Sequence, residues 1–423
     1  MFIQKAERFT RTIFFILLLT VFVSRSQVSP ANQQEKIRAY SRMIEFDYTT
    51  WTIDALFGKA AQSALGMTRY ISSHSAKEIV LEYLRVVDQT QQIQSEIERI
   101  YADPEIKNPE GTAAEKLAKL ATLQDEKADL ANLAESIIQA QVSQVIDEMG
   151  LSFVGQPIPP LLYHVTELPL SLIVSPREVI RQDANISINP ELSLDEITKL
   201  EKDVANGLNV STMVTRIGGV GVYPTMVGQS TSLQWLIEVV AHEWIHNYLT
   251  MRPLGIRYDS SPELRTMNET TANIAGNEIG LFVLQKYYPE MIPPPAEPSK
   301  PEDNQDMEDN NPPEPPKFDF NKEMHETRVK ADELLAEGKI EEAEKYMEAR
   351  RKVFWDQGYQ IRVLNQAYFA FHGAYADVPG GAAGEDLVGP AVRKLREESP
   401  TLKDFVNKIA KMRTFDELQK AVQ

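Results

Sequence analysis

A chain of 423 residues has room for two or three domains, or for one domain with a sizeable helical appendage. Its formal net charge of -17, with no basic stripe, argues against nucleic acid as a partner. It contains no cysteine, which excludes disulfides, thiol catalysis and cysteine-ligated metal.

Residues 1–31 read as a signal peptide or membrane anchor. Lys5, Arg8 and Arg11 precede the apolar run 13–23, the order of a basic and then a hydrophobic region. As a helix the run is about 16 Å long, short of the roughly 30 Å hydrocarbon core, which favours a cleaved signal. A tilted anchor over 9–23 is the alternative, and would associate the chain with a membrane. In both cases the bulk of the protein is expected outside the cytoplasm, anchored or secreted.

Residues 32–154 predict helices, with Trp51, Phe57 and Tyr70 as packing anchors of the first stretch. Segments 76–101 and 112–150 repeat apolar residues at intervals of three and four, separated by Pro, Asn and Gly around 103–111. That pattern predicts an antiparallel helical hairpin. Such an arm either recognises a protein partner or packs as a helical layer on the rest of the chain.

Over 155–291 the pattern shortens. "LPLSLIVSP" and "GGVGVYPTMV" are short runs bounded by Gly and Pro, as strands are. The stretch 239–249 then reads "VVAHEWIHNYL". Four residues are about one helical turn, so His242 and His246 share a face, with Glu243 directly after the first. Two neutral imidazoles can hold a divalent metal, and an adjacent carboxylate can take a proton from water that the metal activates.

Zinc needs a third protein ligand. In "SSPELRTMNETTANIAGNEIG", Ser261 reads as an N-cap, Pro262 as the first helical residue, and Gly276 and Gly280 as punctuation. Glu269 and Glu278 are nine residues apart, about half a turn out of phase, so only one of them can face the metal. Glu269 is the better placed: small residues trailing it allow close packing, and its interval after His246 suits a helix, loop, helix hairpin. Asn273, one turn later, can accept a hydrogen bond from the second nitrogen of a ligand histidine. The expected set is His242, His246 and Glu269 around one zinc ion per chain, with Glu243 as general base. His164 and His74 lie far from the motif and read as structural histidines. Asn185, Asn209 and Asn268 begin Asn-x-Ser/Thr triplets; a glycan at Asn268 would crowd Glu269, so that one is expected unmodified.

Residues 292–317 are proline-rich and acidic, the composition of a disordered linker. Residues 318–423 predict a helical lobe, opening with a helix, Gly-containing turn and helix that resemble a single tetratricopeptide hairpin.

His-Glu-Trp-Ile-His followed by Asn268-Glu269 resembles the gluzincin metallopeptidases, whose signature is His-Glu-x-x-His with Asn-Glu or a lone Glu on a second helix. A similar "NE..A" ligand helix and a segment resembling "LNQAYFAFHGAYAD", 364–377, occur in a family of predicted bacterial aminopeptidases. That likeness runs from about Ile217 to the C-terminus, interrupted by the linker. The resemblance implies an α+β, mostly helical fold: a zincin-like catalytic unit with a small sheet, the long hairpin and a C-terminal helical lobe. It implies hydrolysis of a peptide or protein substrate, with an edge strand beside the metal helix, here 220–227, pairing with the extended substrate. Gluzincins take an oxyanion donor from a Tyr or His outside the ligand helices, for which Tyr368, His372 and Tyr375 are the candidates.

An aminopeptidase also needs an acidic anchor for the free amine. "GGVGVYPTM" holds none, and Glu238 or Glu278 would have to supply it, so exopeptidase and endopeptidase action both stay open. A rival from another class is an exported helical binding or scaffold protein with a structural or vestigial zinc site. Glu243 is the feature against it, because a structural site has no use for a carboxylate beside its ligands.

Overall fold

The computed structural model describes residues 32–65, 71–103, 106–292, 318–376 and 381–423. The N-terminal signal or anchor, Tyr70 and all of the linker but Ile292 lie outside the described residues. Among the described residues no helix is long and apolar enough to cross a membrane. The fold is α+β and mostly helical.

Four helices lead: α1 (Gln33–Ser41), α2 (Tyr48–Leu65), α3 (Ser73–Ala102) and α4 (Pro109–Glu148). Ser72 caps α3 by accepting from the Ser75 N–H, and Asn108 caps α4 with Pro109 at the first helical position. The two long helices pair. At the base of the hairpin Val80, Tyr83, Leu84 and Val87 meet Ile137, Ile138 and Val142 inside the main core, while Val86, Ile93 and Leu123 form a small cluster further out. Phe57, expected as a packing anchor, is instead 75% exposed. On α2 the buried positions are Ala55 and Lys59, one turn apart, and a residue midway between them points to the opposite side.

Three strands form an antiparallel sheet in the order β5 (Ala184–Ile188), β4 (Leu170–Pro176), β6 (Val210–Thr215). One face packs on α1 and α5 (Leu194–Leu208), burying Ile37, Leu172, Val174, Ile186 and Val204. The other carries Ile173 and Met213 against Ala367 and Phe371. A second sheet runs β3 (Tyr163–Val165), β8 (Thr225–Val227), β7 (Gly219–Val220), with β3 parallel and β7 antiparallel to β8. A short hairpin, β1 (Ser152–Phe153) with β2 (Gln156–Pro157), follows α4.

The main core is built on α6 (Leu233–Thr250) and α8 (Pro262–Tyr287), joined through the short α7 (Pro253–Ile256). Leu236, Ile237, Val240 and Ala241 pack with Ala272, Ala275, Ile279 and Val283. Gly276 and Gly280 do not punctuate α8; the helix runs through both. A Cβ on Gly276 would lie 3.0 Å from the Glu238 carbonyl and 3.1 Å from His242 Cα, and one on Gly280 would lie 2.7 Å from Glu238 Cγ. Their missing side chains let the two helices touch.

Beyond the linker come α9 (Phe320–Ala336), α10 (Ile340–Asp356) and α11 (Gln366–His372), then α12 (Val388–Glu398), α13 (Leu402–Ile409) and α14 (Phe415–Ala421). Gly338, with φ +74, turns α9 into α10. Residues 318–423 serve two places. Met324, Met347 and Phe354 cluster with Leu364 and Phe369 of the α11 segment, whereas Val392, Leu395, Phe405 and Ile409 enter the main core with α6 and α8.

Candidate metal centre

Ser232 caps α6 by accepting from the Trp235 N–H, and the apolar faces of that helix are buried. This sets the face that carries His242 and His246 toward α8. On α8, capped by Ser261 with Pro262 at the first helical position, Glu269 is buried opposite them. The Nε2 atoms of His242 and His246 lie 3.0 Å apart. Glu269 Oε2 lies 3.5 Å from His246 Nε2 and 3.8 Å from His242 Nε2. One ligand atom from each of the three residues falls within 4.8 Å of the others, and the group could hold a metal ion.

Partners behind the ligands orient them. His246 Nδ1 lies 2.8 Å from Asn268 Oδ1; an amide oxygen only accepts, so Nδ1 keeps a proton and Nε2 is the nitrogen that a metal would take once it is deprotonated. Asn273 hydrogen-bonds His242. The Tyr258 hydroxyl donates to Glu269 Oε1, and Arg265, one turn before Glu269, reaches toward Tyr258 and donates from Nη1 to the Ala370 carbonyl at 2.8 Å. Glu269 Oε2, by contrast, is buried without a hydrogen-bond partner. The orienting roles of Asn268, Tyr258 and Arg265 are not read from the sequence, which marks Asn268 only as part of the Asn-Glu pair and of a glycosylation triplet. The Asn-Glu pair and a tyrosine in the short connection between the two ligand helices were the available signals.

Electrostatics follow from this burial. It pushes His242 down to about 3, helped by His246. For His246 burial works the same way, but the charge of the Glu269 carboxylate, 3.5 Å from Nε2, outweighs it and holds the imidazole up at about 9. Burial resists ionisation of Glu269 as well, and the two histidines and Arg265 overcome it, so its carboxyl sits down at about 2. Glu243, 7% exposed, is pushed up to about 7 by burial, with Glu269 adding to the shift and His246 opposing it.

Edge strand β7 crosses directly over Glu243. A Cβ on Gly219 would lie 2.6 Å from Glu243 Oε1, and one on Gly221 would lie 3.1 Å from His246 Cβ. The stretch 220–227, expected as one edge strand, is two: β7 at the edge and β8 inside, joined by a turn through Tyr223-Pro224. Pro224 lacks the N–H that a continuous strand would need.

His242, Glu243, His246 and Glu269 lie in one cavity of about 760 Å³, whose walls include Gly219, Gly221, Tyr258 and Tyr375. Burial, with Glu269 and Tyr258 nearby, raises the Tyr375 hydroxyl well above its ordinary value. His372 and Tyr368 are elsewhere. Their rings meet at 4.3 Å, tilted by 43°, and line a separate cavity of about 610 Å³. The two sit one turn apart on the same face of α11; the helix ends at His372, and the turn after Gly373 carries Tyr375 the other way. His372, a sequence candidate for oxyanion donor, is therefore not in the metal cavity.

Of the remaining candidates, Glu238 lines the metal cavity, while Glu278 is committed to Arg396 at 2.6 and 2.8 Å. His164 joins a buried network in which Glu135 also meets Lys59 at 2.6 Å, and His74 pairs with Glu78 at the surface. No protein-family model matches the chain, and no curated protein or solved structure matches it either.

Proposed function

We propose that this protein is a zinc metallopeptidase of gluzincin type, a zincin-like hydrolase of peptide bonds. The observation that carries the reading is the convergence, in one cavity, of His242, His246 and Glu269 with the buried Glu243 under a glycine-rich edge strand. Zinc suits the donors. Four-coordinate zinc with ligands at about 2.0–2.1 Å holds them about 3.3 Å apart, and the three separations here are 3.0, 3.5 and 3.8 Å. The partnerless Glu269 oxygen is the atom such an ion would satisfy. Bound there, zinc would supply Lewis acidity, polarising the substrate carbonyl and acidifying water.

The chain's own residues do the rest. Glu243, poised at about 7, takes a proton from the attacking water and returns it to the leaving amine as the C–N bond breaks. The free edge of β7 offers main-chain hydrogen bonds to an extended peptide. Tyr375 donates to the oxyanion. Glu238 and Asp259 are the carboxylates of the cavity outside the metal site that can receive a substrate amine, which supports exopeptidase action alongside cleavage within a chain. The basic and apolar N-terminal sequence supports a site of action outside the cytoplasm.

Glu243→Gln tests the reading. Zinc content should stay near one per chain, and hydrolysis of a quenched peptide library should fall roughly 10²–10⁴-fold. A zinc-loaded native chain that cleaves nothing, or a variant that cleaves as well as native, would return the weight to a scaffold built around the helical hairpin.

A further inference from the structure

We propose that Arg216 is the specificity residue of the metal cavity and binds a substrate carboxylate, an inference that rests on the peptidase reading. Arg216 lies just after β6 and lines both the metal cavity and the adjoining cavity of about 610 Å³. Its side chain makes no hydrogen bond, ion pair or ring contact with any described residue. The other arginine on the metal cavity, Arg265, is buried and occupied by Tyr258 and the Ala370 carbonyl. In a chain of net charge -17 an unpaired guanidinium at a cleft is a place where an anion gains most.

Position along the cleft follows from the glycines. Gly218 lies against Trp235 and Val239, Gly219 against Glu243, and Gly221 against His246, so this segment tracks α6 from its first turn toward its C-terminal half. Arg216, two residues earlier, sits at the Trp235 end, the side of the helix N-terminus and its partial positive charge. Tyr258 and Asp259 also line the cavity, and the Asp259 carboxylate has no hydrogen bond or ion pair with any described residue. Outside the metal site the cleft therefore carries both signs of charge: Arg216, without a partner among the described residues, and the carboxylates of Glu238 and Asp259. Three residues of chain span at most about 11 Å, so Arg216 serves a group within roughly three substrate residues of the bond over Glu243. That group is either an acidic side chain or a free C-terminus.

Peptide hydroxamates test this on the zinc-loaded full chain, because the hydroxamate fixes the register on the metal whether or not turnover occurs. Two series, extending to either side of the hydroxamate, carry Glu or Gln at each of three positions with amidated ends, and a third pair ends in free or amidated Ala. In one series the carboxylate probe should bind about tenfold more tightly than its neutral match, less at high salt because Arg216 is exposed. Arg216→Gln should bring that ratio to about one, and Arg216→Glu should invert it. A preference for Glu over Gln assigns the site to an acidic side chain; a preference for free over amidated Ala assigns it to the C-terminus. Equal binding of all pairs, or a preference that survives Arg216→Gln, overturns the proposal. Hydrolysis read in parallel separates the two readings: probes sorted by Arg216 without any cleavage would remove only the peptidase, and cleavage with an Arg216-independent ratio would remove only this subsite.

Discussion

Replacing Gly219 by alanine isolates the contact between the edge strand and Glu243, the proposed general base. The new Cβ would stand 2.6 Å from Glu243 Oε1 and 2.8 Å from its Cγ, where ordinary contact begins at 3.4 Å, so base or strand must move by about 0.8 Å. Glu243 is held among buried neighbours and cannot simply swing into solvent. A misplacement of about 1 Å at a catalytic group costs on the order of 10²-fold, so kcat/KM should fall roughly 10- to 100-fold, or about 1.4–2.7 kcal/mol of barrier. Zinc content by mass spectrometry should be unchanged, because the three atoms nearest the added methyl all belong to Glu243. Gly58→Ala, where nothing lies within 4 Å, is the control and should be silent. Activity within twofold of native at full zinc occupancy would show that β7 is not pressed on Glu243. Loss of zinc would make the strand a support for the ligands instead.

Two further outcomes are expected. Without metal, His246 holds its proton up to about pH 9, whereas Glu269 is already ionised and His242 already neutral at pH 7. Metal binding at pH 7 should therefore expel about one proton, and affinity should fall about tenfold per unit as pH drops below 9, levelling above it. Calorimetric titration in buffers of different ionisation enthalpy measures this, and a proton count near zero would contradict the pairing of His246 with Glu269. Tyr375→Phe should lower kcat by roughly 10²–10³-fold with KM and zinc little changed, as loss of an oxyanion donor does. His372→Phe, in the other cavity, should leave kcat within twofold, and equal losses in the two variants would restore His372 as the donor.

What the sequence discloses is what local periodicity controls. His242 and His246 share a face because they are one turn apart, and Glu269 rather than Glu278 meets them because half a turn separates the two carboxylates. The cap at Ser261-Pro262 is equally local. The orienting role of Asn268 escaped because its partner His246 sits on another helix, and the adjacent Glu269 drew the whole of that segment's meaning. Tyr258 reaches Glu269 through a loop with no period to read. Phase errors explain two corrections: a helix end at Gly373 parts Tyr375 from His372, and a turn at Pro224 divides a run of β-formers. Gly276 and Gly280 have the composition of a helix end, yet the approach of α6 is what requires them, and that contact exists only in three dimensions.

The same cavity gathers three features that folding alone does not favour. Glu269 buries a carboxylate oxygen without a hydrogen bond, Gly219 in β7 and Gly221 just after it weaken a segment that only just clears its neighbours, and the Glu243 side chain makes no hydrogen bond or ion pair with any described residue. Local rules broken together in one place are what a functional site is expected to show, and they support the proposed reading over a scaffold. Glu243 allows a direct check. A carboxyl raised from its ordinary value to about 7 binds its proton more tightly in the folded chain than in the unfolded one. Its burial therefore costs stability progressively as pH rises from about 4.5 to 7, and fully above that range. In the metal-free protein at pH 8, Glu243→Gln should accordingly raise the melting temperature while abolishing hydrolysis in the zinc-loaded form. A lower melting temperature would mean that the carboxylate is there for the fold, and the case for catalysis would lose its strongest physical support.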